Sequence, residues 1–160
     1  MNSAIDQIEQ MTRQAVCQVF SGMLSMELVE EPPGALPEDS KGQVAGSVGF
    51  VGKGSGIIYL YAGATAAVTM ASRMLGIAES EIEGDEMVND ALGELTNMVC
   101  GSVKSKLCDN GWPCKLTIPS VVRARKLSVG GVSQVERRIL GFHNGEHHLL
   151  AEILLKEATN

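Results

Sequence analysis

The sequence predicts an α+β fold, with helices packed against a mostly antiparallel sheet. Two observations carry the prediction. Apolar residues recur every three to four positions over 3–28, 64–76 and 85–109, the period of a helix with one buried face. The stretches between and after them are short, β-branched or aromatic, and bounded by Gly, Pro and Asn. The resulting order is helix, two strands, two helices, four strands.

In the first helix the apolar set is Ile5, Ile8, Met11, Ala15, Val19, Met23 and Met26, with Ser3 as a candidate cap. Residues 29–42 follow as an acidic, Pro-rich loop, because its prolines remove backbone donors and fix φ. "QVAGSVGFV" and "IIYLY" are strand candidates joined by "GKGSG", with Val44, Val48 and Phe50 on one face. The helix over 64–76 closes at Gly76, and the acidic "ESEIEGDE" leads to the helix over 85–109, which "DNGWP" ends. Four strand candidates complete the chain: "CKLTIP", "VVRARKLSV", "SQVERRILGF" and "EHHLLAEILLKE". "HNG" between the last two suits a hairpin turn, since Asn and Gly tolerate positive φ.

A chain of 160 residues is most simply one domain, 1–160, and at this size it buries roughly 68–70% of its unfolded surface. Hydrophobic residues at 44% and charged residues at 20% are ordinary for a soluble globular protein. A net charge of -6 argues against a nucleic-acid partner, which needs clustered Lys and Arg. The N-terminus lacks the basic and apolar regions of a secretory signal, and no apolar run approaches the ~20 residues of a membrane span. The expected location is cytoplasmic, with no membrane partner and with Cys17, Cys100, Cys108 and Cys114 as reduced thiols.

Several motifs fail on spacing. In "GSVGFVGKGSG" the phosphate-loop pattern meets Ser47 where Gly is required and Gly54 where Ser or Thr is required, so a hairpin explains these glycines better. Cys108, Cys114, His143, His147 and His148 match no tight zinc spacing, and no metal is expected. Nothing places a cysteine within reach of a histidine for nucleophilic catalysis.

"DALGELTNMVCGSVK", residues 90–104, is more informative. At about 100° per residue, Asp90, Glu94, Asn97, Gly101 and Lys104 fall within about 40° of one line. Val88, Leu92, Leu95, Val99 and Val103 fall opposite, as the face that packs on the sheet. A solvated helix face is always polar, and Glu is a good helix former. Yet Asn competes with the backbone inside a helix, and Gly costs roughly 0.8–1.0 kcal/mol relative to Ala there. Gly93 and Gly101 both flank this line. Glycines suit a face that another protein must approach closely, because they remove the blocking Cβ. On residue physics alone both readings of this face stand.

"DALGELTNMVCG" resembles the signature of the CheX/CheC chemotaxis phosphatases: an acidic residue or Ser, then Glu-x-x-Asn, then Gly four residues on. Asp90, Glu94, Asn97 and Gly101 match in order, and Pro119 fits the family's downstream proline. "ASRMLGI" with the acidic connector, and the hairpin before it, are similar to CheX as well. The resemblance implies a CheX/CheC-like fold and a hydrolase acting on the aspartyl phosphate of a CheY-like response regulator. Asn97 would position the attacking water and Glu94 would pair with the regulator's active-site lysine, both counted as catalytic. Asp90, Gly93, Gly101 and Lys104 would shape the contact face.

That division of labour is chemically sensible. An acyl phosphate is already activated and the receiver supplies its own Mg²⁺, so only water positioning is missing and this chain needs no cofactor. A neutral amide can orient water without bringing negative charge to a phosphoryl group. CheC-type members carry two such motifs, but the counterpart in the first helix is "EQMT", with Thr12 in place of Asn. The resemblance therefore implies a single site, as in CheX-type members, and a homodimer joined through sheet edges, for which the long C-terminal strands are candidates. The alternative is a non-catalytic CheX-like module that docks a receiver domain or a flagellar-switch or other signalling partner.

Overall fold

The computed structural model describes residues 2–36, 38–127 and 134–157. Among them are three α-helices: α1 (Ala4–Leu24), α2 (Ala64–Leu75) and α3 (Asp85–Asp109). Seven strands accompany them: β1 (Val29–Glu31), β2 (Gln43–Gly52), β3 (Gly54–Gly63), β4 (Cys114–Leu116), β5 (Ser120–Ala124), β6 (Glu136–His143) and β7 (His148–Glu157). All strand pairs are antiparallel, in the order β1-β6-β7-β3-β2-β4, with β5 also on β2. No described helix is long and apolar enough to cross a membrane.

One face of the sheet carries the helices. Val44, Val48 and Phe50 of β2, Ile58 and Leu60 of β3 and Ile153 and Leu155 of β7 meet Ile8, Phe20, Leu95, Val99 and Val103 in a single apolar core. The other face holds a smaller cluster, Ala45, Tyr61 and Leu150, with Leu36 and Leu127 packed against it. Because the central strand β7 is covered on both sides, its apolar residues do not alternate. Its buried Glu152 accepts hydrogen bonds from the Tyr61 hydroxyl at 2.7 Å and from Arg137 Nε at 2.6 Å. That pairing satisfies a carboxylate that could not otherwise be buried.

Several expectations change. The 29–42 loop contains β1, whose "VEE" lacks strand composition; it is held by its ladder to Gly141–His143, by Arg13, which donates to Glu30 at 2.6 Å, and by His148 beside Glu31. The β2–β3 turn is tighter than "GKGSG": Val51 pairs Ser55, and Gly56 lies under the Phe50 ring, where a Cβ would collide. "CKLTIP" ends as a strand at Leu116. Residues 128–129 of "VVRARKLSV" and Ser133 of "SQVERRILGF" lie outside the described residues. The proposed junction strands are also mostly interior. β7 lies between β6 and β3, and β1 covers the end of β6, so within these two strands only Glu136–Leu140 leaves an outer edge without a strand among the described residues.

Two contacts set α3 on the sheet. Gly46 of β2 lies beneath it, where a Cβ would run into Thr96 Oγ1 and come within 3.3 Å of the Leu92 carbonyl oxygen. Thr96 is fully buried, and its hydroxyl donates to that carbonyl at 2.7 Å. Nearby, the Cys100 thiol sits 3.7 Å from the Val48 carbonyl. α3 ends where Gly111 takes φ 78° and the Trp112 amide donates back to the Leu107 carbonyl at 2.8 Å.

Candidate functional site

The buried side of α3 is Val88, Leu92, Leu95, Val99 and Val103, each at most 2% exposed. That packing turns Asp90 and Glu94 outward as exposed residues, with Asn97, Gly101 and Lys104 half-buried along the same face. Among the described residues, no hydrogen bond or ion pair engages the side chains of Asp90, Glu94 or Asn97. A carboxylate and an amide one turn apart are thus left for something outside the chain.

The two glycines differ. A Cβ on Gly101 would meet nothing within 4 Å, so the surface there is open. Gly93 is instead buried, and a Cβ on it would lie 3.6 Å from Pro119 Cβ and 3.5 Å from Val121 Cγ2. The chain's own β4–β5 connection covers it, so Gly93 presents no open face. The connection is an arch, residues 117–119, between the two short strands that share β2. It is pinned by a reciprocal pair: the Thr117 amide donates to the Gly49 carbonyl at 2.9 Å, and the Gly49 amide donates to Thr117 Oγ1 at 2.8 Å.

Charge around the face is mostly negative. Asp90 lines a hollow of about 380 Å³ with Glu83, Gly84, Glu86 and Met87 at the start of α3. One cation is tied into that end: Arg123 of β5 donates through Nε to Asn89 Oδ1 at 2.5 Å and lies 3.5 Å from Asp85. An exposed carboxylate in an acidic setting attracts a cation on a partner.

The other candidate chemistries gain nothing. Among the described residues, no three His, Cys, Asp or Glu side chains come together so as to hold a metal ion. Burial pushes the Cys100 thiol up to about 12, and burial also raises Cys17 and Cys114. These thiols stay protonated near neutral pH and are poor nucleophiles. His143 and His148 instead flank Glu31 at the β1 edge, with His148 Nδ1 at 2.5 Å from its carboxylate.

One exposed residue beside the face was not singled out from the sequence. Ile118, on the arch, is 87% exposed. An apolar residue directly before Pro119 was the available signal, but strand alternation accounted for it equally well.

A helical layer on one face of an antiparallel sheet makes this a protein of CheX/CheC-like fold. The chain belongs to the CheX family, chemotaxis phosphatase CheX, whose model matches residues 44–143 and so includes Asp90, Glu94, Asn97 and Pro119. Among solved structures it is similar to chemotaxis protein CheX from Vibrio vulnificus, at 25% identity and a TM-score of 0.82, covering 97% of this chain and 100% of that one. A CheC-like superfamily protein from Shewanella sp. PV-4 is 28% identical with a TM-score of 0.81, covering 98% and 99%. A chain of the CheX–CheY–BeF3–Mg complex from Borrelia burgdorferi, at 24% identity and a TM-score of 0.74, covers 94% and 98% and shares the fold. No curated protein matches the sequence.

Proposed function

We propose that this chain hydrolyses the aspartyl phosphate of a CheY-like response regulator in the cytoplasm, with α3 as the docking and catalytic helix. The observation that carries this reading is the pair Glu94 and Asn97: both lie within the family match, and both face outward without partners among the described residues. The borrelial relative's structure with CheY, BeF3 and Mg²⁺ supports the partner class.

In this reading Glu94 pairs with the receiver's active-site lysine and sets the register of the complex. Asn97 enters the receiver's site and holds one water in line with the phosphorus. The water oxygen bonds to phosphorus, the bond from phosphorus to the aspartate oxygen breaks, and the products are a free carboxylate and inorganic phosphate. Bound Mg²⁺ in the receiver neutralises phosphoryl charge. Asn97 adds what the receiver lacks, an amide that can accept from and donate to the water.

The partner set in this reading includes a second copy of the chain, joined at a sheet edge. The unpaired part of β6, the outer side of β1 and the β4–β5 side are the edges available among the described residues. Sedimentation would measure the state.

The test follows decay of a phosphorylated receiver with wild type, with Asn97→Ala and with no addition. Acceleration by wild type alone is expected. Binding without acceleration would make the chain a docking module, and equal acceleration by the variant would move the chemistry off Asn97.

A further inference from the structure

The row Asp90, Glu94 and Asn97 contains no apolar anchor. Exposed ion pairs contribute little in water, and binding energy in protein interfaces concentrates in a few well-packed, water-excluding contacts. A receiver held by this row alone would bind weakly, so an apolar contact close by is needed.

The exposed large apolar residues among those described are Met23, Val29, Val51, Leu75, Ile118 and Val122. Scattered single examples are normal on a protein surface. Met23 and Leu75 lie at the ends of α1 and α2, and Val29 is on the edge strand β1. Ile118 is the most exposed of the six, at 87%, and lies between a residue pinned to β2 and one packed on α3; Val122, at 54%, lies on β5 between Val121, which also packs over Gly93, and Arg123, which is bonded to Asn89. Thr117 before it is bonded twice to Gly49. Pro119 after it packs over Gly93, the residue immediately before Glu94 and one turn before Asn97. The proline also restricts the backbone of the residue preceding it.

We propose that Ile118 is the apolar anchor that holds the phosphorylated receiver against α3, seated on an uncharged patch of the receiver beside its phosphorylation site. This rests on the receiver-phosphatase reading above. A side chain already held on a pinned arch loses little freedom on binding, so most of its burial appears as affinity. The arch also couples anchor and chemistry: Pro119 fixes the separation between Ile118 and the Glu94–Asn97 row.

The experiment measures the half-saturating concentration of phosphorylated receiver, and kcat, for wild type, Ile118→Ser, Ile118→Val and Val29→Ser. Ile118→Ser should raise half-saturation about tenfold with kcat unchanged, as loss of an interface anchor does. Ile118→Val should recover most of the difference, and Val29→Ser should match wild type. If wild type binds without turnover, the same tenfold change is expected in the dissociation constant. Unchanged half-saturation in Ile118→Ser with an active wild type would overturn the anchor alone. So would a fall in kcat without a change in half-saturation. A wild type that neither binds nor turns over any receiver would overturn the receiver reading, and the anchor with it.

Discussion

Two helices of this molecule carry a Glu followed three residues later by a polar side chain, and the structure treats them oppositely. On α1, Glu9 is held by Arg13 at 3.2 Å and by Arg138 of β6 at 3.2 Å. Three residues on, Thr12 is fully buried, its hydroxyl donating to the Ile8 carbonyl at 2.7 Å. On α3, Glu94 is exposed, Asn97 is half-buried, and neither side chain has a partner among the described residues. The spacing is the same; what differs is the phase of each helix on the sheet and the cations within reach. A motif of this kind is therefore a statement about which way a helix is rolled. A fully buried hydroxyl whose proton is already given to its own backbone is out of reach of an external water.

The comparison breaks first, and most widely, at Asn97. Replacing it with Ala should lower the rate of receiver dephosphorylation on the order of 10²-fold, about 3 kcal/mol of transition-state stabilisation, with the melting temperature close to wild type. Next comes Thr12→Asn, which writes the α3 pattern into α1. Because the site is fully buried, it should destabilise the protein by about 1–3 kcal/mol in denaturant titration and restore no turnover to Asn97→Ala. Glu94→Ala should raise half-saturation about fivefold, roughly 1 kcal/mol, and flatten its dependence on salt, since an intermolecular ion pair is removed. Smallest is Glu9→Ala. Its two pairs are partly exposed, so stability should fall by no more than about 1 kcal/mol with kcat unchanged. Loss of turnover in that variant would mean that both helices contribute to the site.

Most of the layout could be read in the sequence because it follows from period. α3 occupies 85–109 as its apolar spacing demands, and α2 ends at the glycine that permits a left-handed residue. What escaped was set by tertiary contact. β1 consists of Val29 and two glutamates and exists because β6 offers it an edge. In the sequence all of "GKGSG" reads as the connection between two strands, but Gly56 belongs to β3 and serves to admit Phe50 from the neighbouring strand. The same holds at the site. Helical phase placed Glu94 and Asn97 on one line, but it could not separate Gly101, which is open, from Gly93, which lies under Pro119 and Val121. That distinction depends on a segment more than a helix-length away in sequence. Ile118 shows the same limit, since residues in an arch follow neither a strand nor a helix period.

Gly46 makes the aim of α3 a property of the sheet. With side chains a helix is about 10–12 Å across, so a roll of about 20° would carry a polar tip on its outer face on the order of 2 Å sideways. In-line attack tolerates far less, because a 1 Å misplacement can cost about 10²-fold. The missing methyl at Gly46 lets Thr96 settle against β2, where a Cβ would push this turn of α3 away from the sheet. The direction in which the Asn97 amide faces is thus set from the underside of the helix, by an atom that is absent.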